Sequence, residues 1–290
     1  MTNRIMPRFK TKQYILWLIL ITSCLFFLAA TPENGLAQEN QKPWLNASGM
    51  TVESRFVPPD GYTRKRYDDP YTDYMRKLPM LPDGTPVHIY TGELKPIQSH
   101  HVGVLDIDVG NRDLQQCSDA AQRLRTDYLY QSRQFDKISY HFVNGMEFSW
   151  DKYKQGYRTK TEGRKTILVK TAKASDGPKT FKNYQKALYM YAGVSSVMKE
   201  SPEITIADLR PGDAIAGTGH LIIVLDVVEN EAGDKKILLA QSYIPAQQIE
   251  VLTNPNSDSP WYDASLLETC PFDTPEWRYD CPFPKIYRLL

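Results

Sequence analysis

Residues 219–242 read GHLIIVLDVVENEAGDKKILLAQS, and they carry the strongest fold signal in this chain of 290 residues. An apolar run from Leu221 to Val228 is followed by turn-forming residues around Asn230 to Asp234, and a second run then extends from Lys236 to Ser242. Two such runs joined by a short polar turn are typical of an antiparallel β-hairpin. The sequence therefore predicts a sheet built around this hairpin.

The register of the hairpin places two polar side chains near each other. If the turn is centred at residues 231–232, Ile222 lies opposite about Gln241, and Gln241 becomes a diagonal neighbour of His220. A glutamine at this position can bind one imidazole nitrogen and fix its tautomer. Asp226 is a weaker alternative, because it lies six residues along the strand, roughly 20 Å from His220 at the usual strand rise.

A helix is predicted to begin close to Cys117. Asp113 is a plausible N-cap, with Gln116 three residues on in an acidic variant of the capping box. Cys117 then lies in the first turn, where unpaired backbone N–H groups and the helix dipole lower the pKa of a thiol. One face of this helix carries apolar or small residues at helical spacing, namely Cys117, Ala120, Ala121, Leu124 and Tyr128.

Cys117, His220 and Gln241 form a candidate catalytic constellation. A cysteine nucleophile needs its thiolate, a histidine to pair with it, and usually a third group that orients the imidazole. His220 follows Gly219 at the start of its strand, where we expect it to be accessible. The alternative is that Cys117 is simply a small buried hydrophobic residue, as free cysteines often are.

Two further cysteines follow in the last part of the chain. In an oxidising compartment Cys270 and Cys281 could close a short loop as a disulfide. That pairing leaves Cys117 as a lone thiol, which in an exported protein requires an explanation.

The N-terminus has the pattern of an export signal. Four basic residues within positions 4–12 precede an apolar run of 17 residues from Tyr14 to Ala30, just short of the ~20 needed for a membrane span. Three alternatives stay open: cleavage before Gln38, lipoprotein processing at Cys24, or an uncleaved membrane anchor over residues 1–37. All three place the remaining chain outside the cytoplasm, in the periplasm or outer cell envelope.

The rest of the chain divides into two parts. Residues 38–60 are polar and contain prolines, so we interpret them as a linker or extended arm, and residues 61–290 as one globular domain. Within that domain, residues 71–81 predict a short helix that is stopped by Pro79. Residues 138–150 predict a hairpin, residues 181–198 a second long helix, and residues 285–289 a last strand.

Charge and histidine spacing exclude several classes of function. The chain has 35 basic and 34 acidic residues, which is no footprint for a nucleic-acid partner. The five histidines show no H-x-x-x-H or H-E-x-x-H spacing, so no metal site and no cofactor is predicted.

Several segments resemble known families. Residues 211–213 (PGD) and 219–224 (GHLIIV) resemble the histidine strand of NlpC-type papain-like cell-wall peptidases and amidases. More closely, the chain resembles the bacterial family catalogued as domain of unknown function 4846. The matching segments are LQQCSDAAQRLRTDYLY at 114–130, GHLIIVLD at 219–226, LAQSYIPAQ at 239–247, SPWY at 259–262 and TPEW at 274–277.

The resemblance to the papain-like superfamily implies an α+β fold with a nucleophile-bearing helix packed on an antiparallel sheet. It implies that Cys117 is the nucleophile, His220 the general base and Gln241 the orienting residue. Gln115 or Gln116 would supply an oxyanion donor beside the Cys117 N–H group.

The expected function is that of an exported thiol hydrolase that cleaves or transfers an amide bond, with peptidoglycan peptides or another peptide-like envelope component as the expected substrate class. One alternative is a binding module on the same fold, without chemistry. Its groove would use four aromatic residues, Tyr243, Trp261, Tyr262 and Trp277. Another alternative is a structural envelope protein with a buried, inert Cys117.

Overall fold

The computed structural model describes residues 42–163, 165–217, 219–282 and 284–290, so the segment predicted as a signal or anchor lies outside the described residues. None of the helices in these ranges is both long and apolar enough to cross a membrane. The α-helices are α1 (Val52–Arg55), α2 (Pro70–Arg76), α3 (Cys117–Gln131), α4 (Trp150–Lys154), α5 (Pro178–Tyr189) and α6 (Val194–Glu200). The strands are β1 (His101–Val104), β2 (Ser139–His141), β3 (Glu147–Ser149), β4 (Tyr157–Glu162), β5 (Lys165–Lys170), β6 (Glu203–Ile204), β7 (Ala214–Gly217), β8 (His220–Glu229), β9 (Lys235–Gln241), β10 (Glu250–Leu252), β11 (Trp261–Asp263), β12 (Phe272–Asp273), β13 (Arg278–Tyr279) and β14 (Lys285–Tyr287).

An antiparallel sheet forms the centre of the described chain. Its strands follow the order β1-β10-β9-β8-β7-β14-β6, and β11 also pairs with β9. Three separate two-stranded ribbons, β2-β3, β4-β5 and β12-β13, are antiparallel as well. Helices and antiparallel sheets occur together, which confirms the predicted α+β class.

The predicted register of the β8–β9 hairpin is confirmed at the end where β8 begins and β9 ends. Ile223 pairs with Ala240, which places Ile222 opposite Gln241. A register shift lies between Val224 and Asp226, so the outer half of the hairpin is displaced by one residue. Such a bulge turns the following side chains to the other face.

Both faces of β8 are buried. Leu221 and Ile223 belong to the core that contains the small residues of α3, whereas Ile222 and Val224 belong to a second core on the opposite face. This alternation is the two-residue period of a strand. Beyond the bulge Val227 falls in the second core rather than the first, because the extra residue reverses the alternation.

The N-cap of α3 differs from the predicted one. Gln116 occupies this position and its backbone N–H group donates to Asp119 Oδ2 at 3.1 Å. Asp113 instead accepts from Gln116 Nε2 at 3.1 Å and from the backbone N–H group of Ala246 at 2.7 Å. Cys117 is the first helical residue, which agrees with its predicted position in the first turn of the helix.

The predicted helix over residues 181–198 is wrong in its continuity. The chain forms α5 and α6 separately, and Gly193 is the N-cap of α6. Glycine is one of the residues favoured at N-caps and disfavoured inside helices, which gives the interruption a local cause. The helix α2 ends at Arg76, shortly before Pro79, the residue predicted to stop it.

The described part of the predicted linker, residues 42–60, is packed into the domain instead. Trp44, Val52 and Phe56 are buried in the same core as α3. Arg55 is also buried, and its guanidinium donates to the carbonyl oxygens of Gly49 at 2.6 Å and Leu81 at 3.0 Å. The interpretation of this segment as a linker rested on its polarity and proline content. It is wrong for the described part because the few apolar residues of the segment pack into the core.

Asp226 serves the structure at the far end of β8 from His220. Its two carboxylate oxygens accept from Arg64 Nε at 2.6 Å and from Arg76 Nε at 2.7 Å, and the aspartate is fully buried. Arg76 also donates to the backbone carbonyl of Val227 at 3.0 Å. This double ion pair ties α2 and the segment before it to the sheet at the bulge.

Replacing Asp226→Asn should lower the free energy of unfolding by about 3 kcal/mol, because it leaves the buried guanidinium of Arg76 without a counter-ion. Urea denaturation measures the loss. Asp258→Asn, at an exposed position, is the control and should change the same quantity by less than about 0.5 kcal/mol. Equal losses in the two variants would contradict a structural role for the ion pair.

Candidate active site

The thiol of Cys117 lies at the start of β8. The backbone N–H groups of Leu221, Ser118 and Cys117 itself lie near the sulfur, and each of them lowers the pKa of the thiol. Because Leu221 directly follows His220 in the chain, the sulfur lies near the backbone at the start of the histidine strand. The structure therefore brings the helix start that carries Cys117 to the strand start that carries His220, although the two are far apart in sequence.

Burial sets the protonation state of this thiol. Cys117 is only 6% exposed, and burial raises the pKa of its thiol above the ordinary value. The backbone N–H groups of Leu221 and Ser118 act in the opposite direction but do not outweigh it. The expectation that the helix start lowers this pKa is therefore wrong, because desolvation exceeds the effect of the N–H groups.

His220 is buried rather than accessible, since aromatic rings cover the mouth of its strand. Its ring centroid lies 5.2 Å from that of Tyr243, 5.0 Å from that of Trp277 and 6.4 Å from that of Tyr279. Burial lowers the pKa of His220 despite a hydrogen bond to Gln241 that raises it. The imidazole is consequently neutral near pH 7.

A hydrogen bond of 2.8 Å joins His220 Nε2 to Gln241 Oε1. The orientation of the Gln241 amide follows from its other contacts: its nitrogen lies 2.5 Å from Glu276 Oε2 and 3.1 Å from Glu250 Oε1. The ionised carboxylate of Glu276 only accepts hydrogen bonds, so the amide nitrogen faces the acids and the amide oxygen faces the imidazole. The neutral imidazole then carries its proton on Nε2, and Nδ1 is left as an acceptor.

A buried lysine completes the network behind Gln241. Lys95 Nζ donates to Glu250 Oε1 at 2.6 Å and to Glu276 Oε2 at 2.7 Å, and Lys95 is only 5% exposed. Sequence reasoning missed all three of these residues, although Glu276 lies in the TPEW segment. They are distant in sequence, and no spacing rule connects them.

The two acids of the network have opposite pKa shifts. Burial raises the pKa of Glu250 to about 7, although Lys95 opposes the shift. Burial also acts to raise the pKa of Glu276, but hydrogen bonds from Lys95 and Glu250 outweigh it and the net shift is downward. One negative charge thus stays on Glu276, next to the ammonium group.

A disulfide closes the loop that carries Glu276 to the site. Cys270 and Cys281 are bonded, with 5.4 Å between their Cα atoms, which is the pairing considered from the sequence. The enclosed loop also contains Trp277 and Tyr279, the rings that pack on His220. The lone described thiol is Cys117.

Of the two predicted oxyanion residues, Gln116 has its amide nitrogen engaged, whereas the amide nitrogen of Gln115 has no partner among the described residues. The amide oxygen of Gln115 accepts a hydrogen bond from Arg123, and the amide nitrogen of Gln116 donates to Asp113 at 3.1 Å. The donors that do reach the sulfur are backbone N–H groups. Gln115 has a left-handed backbone, with φ 61°, and its carbonyl oxygen accepts from Ser242 Oγ at 2.7 Å.

Only two of the four predicted groove aromatics lie at the site. Tyr243 and Trp277 are half-buried against His220. Trp261 and Tyr262 are core residues of β11 and are 2% and 0% exposed, which corrects their assignment to a groove. A short strand with both faces covered gives no outward position for either ring.

A cavity of about 560 Å³ adjoins the aromatic wall of His220. Trp277 and Tyr279 belong both to its lining and to the rings around the imidazole. Volumes of roughly 300–1,000 Å³ are typical of small-molecule sites. Within the described ranges, no cluster of three or more histidine, cysteine or acidic residues is placed to hold a metal ion.

Comparison with known proteins gives one match. A family model described as "Domain of unknown function (4846)" matches residues 52–282, which include the thiol, the imidazole and the whole network behind them. No curated protein and no solved structure matches the chain.

The pKa of Glu250 predicts a pH-dependent stability. Because it is raised from an ordinary 4.5 to about 7, the group favours the folded state most below pH 4.5, and this contribution is lost as the pH rises through 7. Glu250→Gln should remove it, so the stability difference between native chain and variant should change by about 1–3 kcal/mol over that range. Urea denaturation at a series of pH values measures this difference. Glu268→Gln, at an exposed position, is the control, and a pH-independent difference for Glu250→Gln would contradict the assignment.

Proposed function

We propose that this chain, which belongs to the family described as Domain of unknown function (4846), is a thiol hydrolase that acts on amide bonds. The observation that carries the proposal is the hydrogen bond between His220 Nε2 and Gln241 Oε1, beside the start of the helix that carries Cys117. It leaves Nδ1 of a neutral imidazole as the proton acceptor, which is the state that a general base requires.

The first step transfers a proton and forms a covalent bond. The Cys117 sulfur attacks the carbonyl carbon of the substrate while the thiol proton passes to His220 Nδ1. The raised pKa of the thiol and the lowered pKa of the imidazole favour a neutral pair at rest, so this transfer accompanies the attack. Backbone N–H groups of Cys117 and Ser118 are the available donors for the oxyanion that develops.

The remaining steps restore the site. The imidazolium gives its proton to the leaving nitrogen, the C–N bond breaks, and the acyl group remains on Cys117 as a thioester. Water then attacks the thioester with His220 as general base, which releases the acid and regenerates the thiol. Gln241 takes no proton and holds the imidazole in one orientation throughout.

The proposed substrate class is supported by the cavity that shares Trp277 and Tyr279 with the rings around His220. Aromatic walls formed by Trp277 and Tyr279 and a volume of about 560 Å³ suit a peptide-like chain. The papain-like core is part of the proposal, supported by a cysteine-bearing helix packed against the histidine strand of an antiparallel sheet. Export is proposed as well, because the disulfide suits an oxidising compartment and residues 1–37 have the pattern of a signal.

A second candidate function is a binding module that performs no chemistry. The burial of Cys117 and its raised pKa favour this alternative, since both would also suit an inert thiol. Its ligand would occupy the same aromatic cavity. Ligand binding that survives Cys117→Ala, with no product formed by the native chain, would identify it.

Removing either reacting group should abolish the activity. We expect Cys117→Ser and His220→Ala each to lower kcat/KM for amide cleavage at least about 100-fold. The first variant removes the thiol nucleophile and the second removes the general base. Mass spectrometry of products from a peptide library and from peptidoglycan fragments measures cleavage. His141→Ala, an exposed histidine paired with Glu200, is the matched control and should retain native activity. Equal cleavage by all variants would overturn the proposal.

The effect of Gln241 on the orientation of the imidazole should be measurable in a variant that still folds. Gln241→Met should lower kcat roughly 10- to 100-fold with little change in KM, because the imidazole loses the partner that fixes it. Nitrogen NMR of the His220 ring should show that the preference for Nε2–H is lost.

Gln247→Met is the matched control for this change. Gln247 is equally buried and donates to Glu250 Oε1 at 2.9 Å, whereas the acceptor of the His220 hydrogen bond is Gln241. This variant should keep both the tautomer and kcat. An unchanged tautomer in Gln241→Met would contradict the positioning role of Gln241.

A further inference from the structure

A second, smaller cavity lies between α3, α5 and the loop that precedes α3. Its volume is about 70 Å³, several times the ~10–15 Å³ that one water needs, so it can take one small polar group. The lining comes from residues 108–112 and 114–115 of the loop, Arg123 of α3, and Lys182, Gln185, Lys186 and Tyr189 of α5.

The charge of this cavity is strongly positive. Arg112, Lys182 and Lys186 form no salt bridge with any described residue, and only Arg123 is paired, with Asp127 at 3.4 Å. The one acid of the lining, Asp108, accepts a hydrogen bond from the backbone N–H group of Gly110 at 2.9 Å. The lining thus carries four basic residues and one acid, and the adjacent Asp127 offsets Arg123 and part of Lys182. An excess of positive charge remains, which favours an anionic occupant.

Gln115 provides an independent observation that points to a ligand. It is only 1% exposed, its amide oxygen accepts from Arg123, and its amide nitrogen has no hydrogen-bond partner among the described residues. A buried donor without an acceptor costs about 1–3 kcal/mol. The hydroxyl of Tyr189, another lining residue, is also buried without a described partner. An acceptor-only group in the cavity would satisfy both donors.

We propose that this cavity binds the carboxylate group of an acidic peptide. Gln115 lies two residues before Cys117, so their Cα atoms are at most ~7 Å apart and the cavity adjoins the helix start that carries the thiol. The assignment of the carboxylate to the substrate rests on the proposed hydrolase function, whereas anion binding itself does not. The site would make the enzyme selective for peptides with a carboxylate near the cleaved amide.

Binding of small probes to the full chain with Cys117→Ala tests the proposal without any need for catalysis. We expect N-acetylglutamate to bind, N-acetylglutamine to bind at least tenfold more weakly, and the affinity for N-acetylglutamate to fall as salt is added. The double variant Lys182→Gln/Lys186→Gln should lose at least tenfold in affinity. Lys179→Gln, on α5 but outside the cavity, is the matched control and should bind as tightly as the parent.

Three outcomes would overturn the proposal. These are equal binding of the glutamate and glutamine probes, equal binding by the double variant and the Lys179→Gln control, and binding of inorganic phosphate in place of N-acetylglutamate, which would make the cavity a phosphate site. Failure of the hydrolase proposal is distinguishable, because it would leave carboxylate binding intact while the native chain cleaves no peptide.

Discussion

The proposed chemistry depends on the 2.8 Å hydrogen bond between His220 and Gln241. This bond exists because β8 and β9 pair in a register that sets Ile222 opposite Gln241. The orientation of the Gln241 amide is set on the side away from His220. There Glu276 and Glu250 accept from the amide nitrogen, which turns the amide oxygen toward the imidazole. The sheet therefore fixes the position of the imidazole, and the buried acids fix its tautomer.

Holding two acids and a lysine in the interior is costly, so the network must be nearly complete to be stable. Lys95 compensates the negative charge of Glu276. The raised pKa of Glu250 allows that acid to keep its proton, so a second buried negative charge is avoided. Glu276 reaches the network on a loop closed by the disulfide, which ties the orientation of the imidazole to that crosslink. Reduction of the disulfide would thus act on the site through Glu276 rather than through the thiol.

Local patterns in the sequence predicted the hairpin, its register and the position of Cys117 at a helix start, since each depends on residues close together in the chain. They could not predict that residues 42–60 pack into the core, because burial depends on partners far along the sequence. The pKa of the thiol was misjudged for the same reason: the helix start is local, whereas the desolvation that outweighs it comes from tertiary packing. Lys95, Glu250 and Glu276 meet only in the folded chain.

The directions of the pKa shifts of Cys117 and His220 also restrict how the proposed reaction can begin. A thiol with a raised pKa beside an imidazole with a lowered pKa disfavours a standing ion pair, so the thiolate must form as the substrate is attacked. A site of this kind would react slowly with small electrophiles yet respond to a substrate that is correctly placed. Placement would then come from the aromatic cavity next to the rings around His220 and from the basic cavity near Gln115, which makes recognition rather than thiol acidity the source of selectivity.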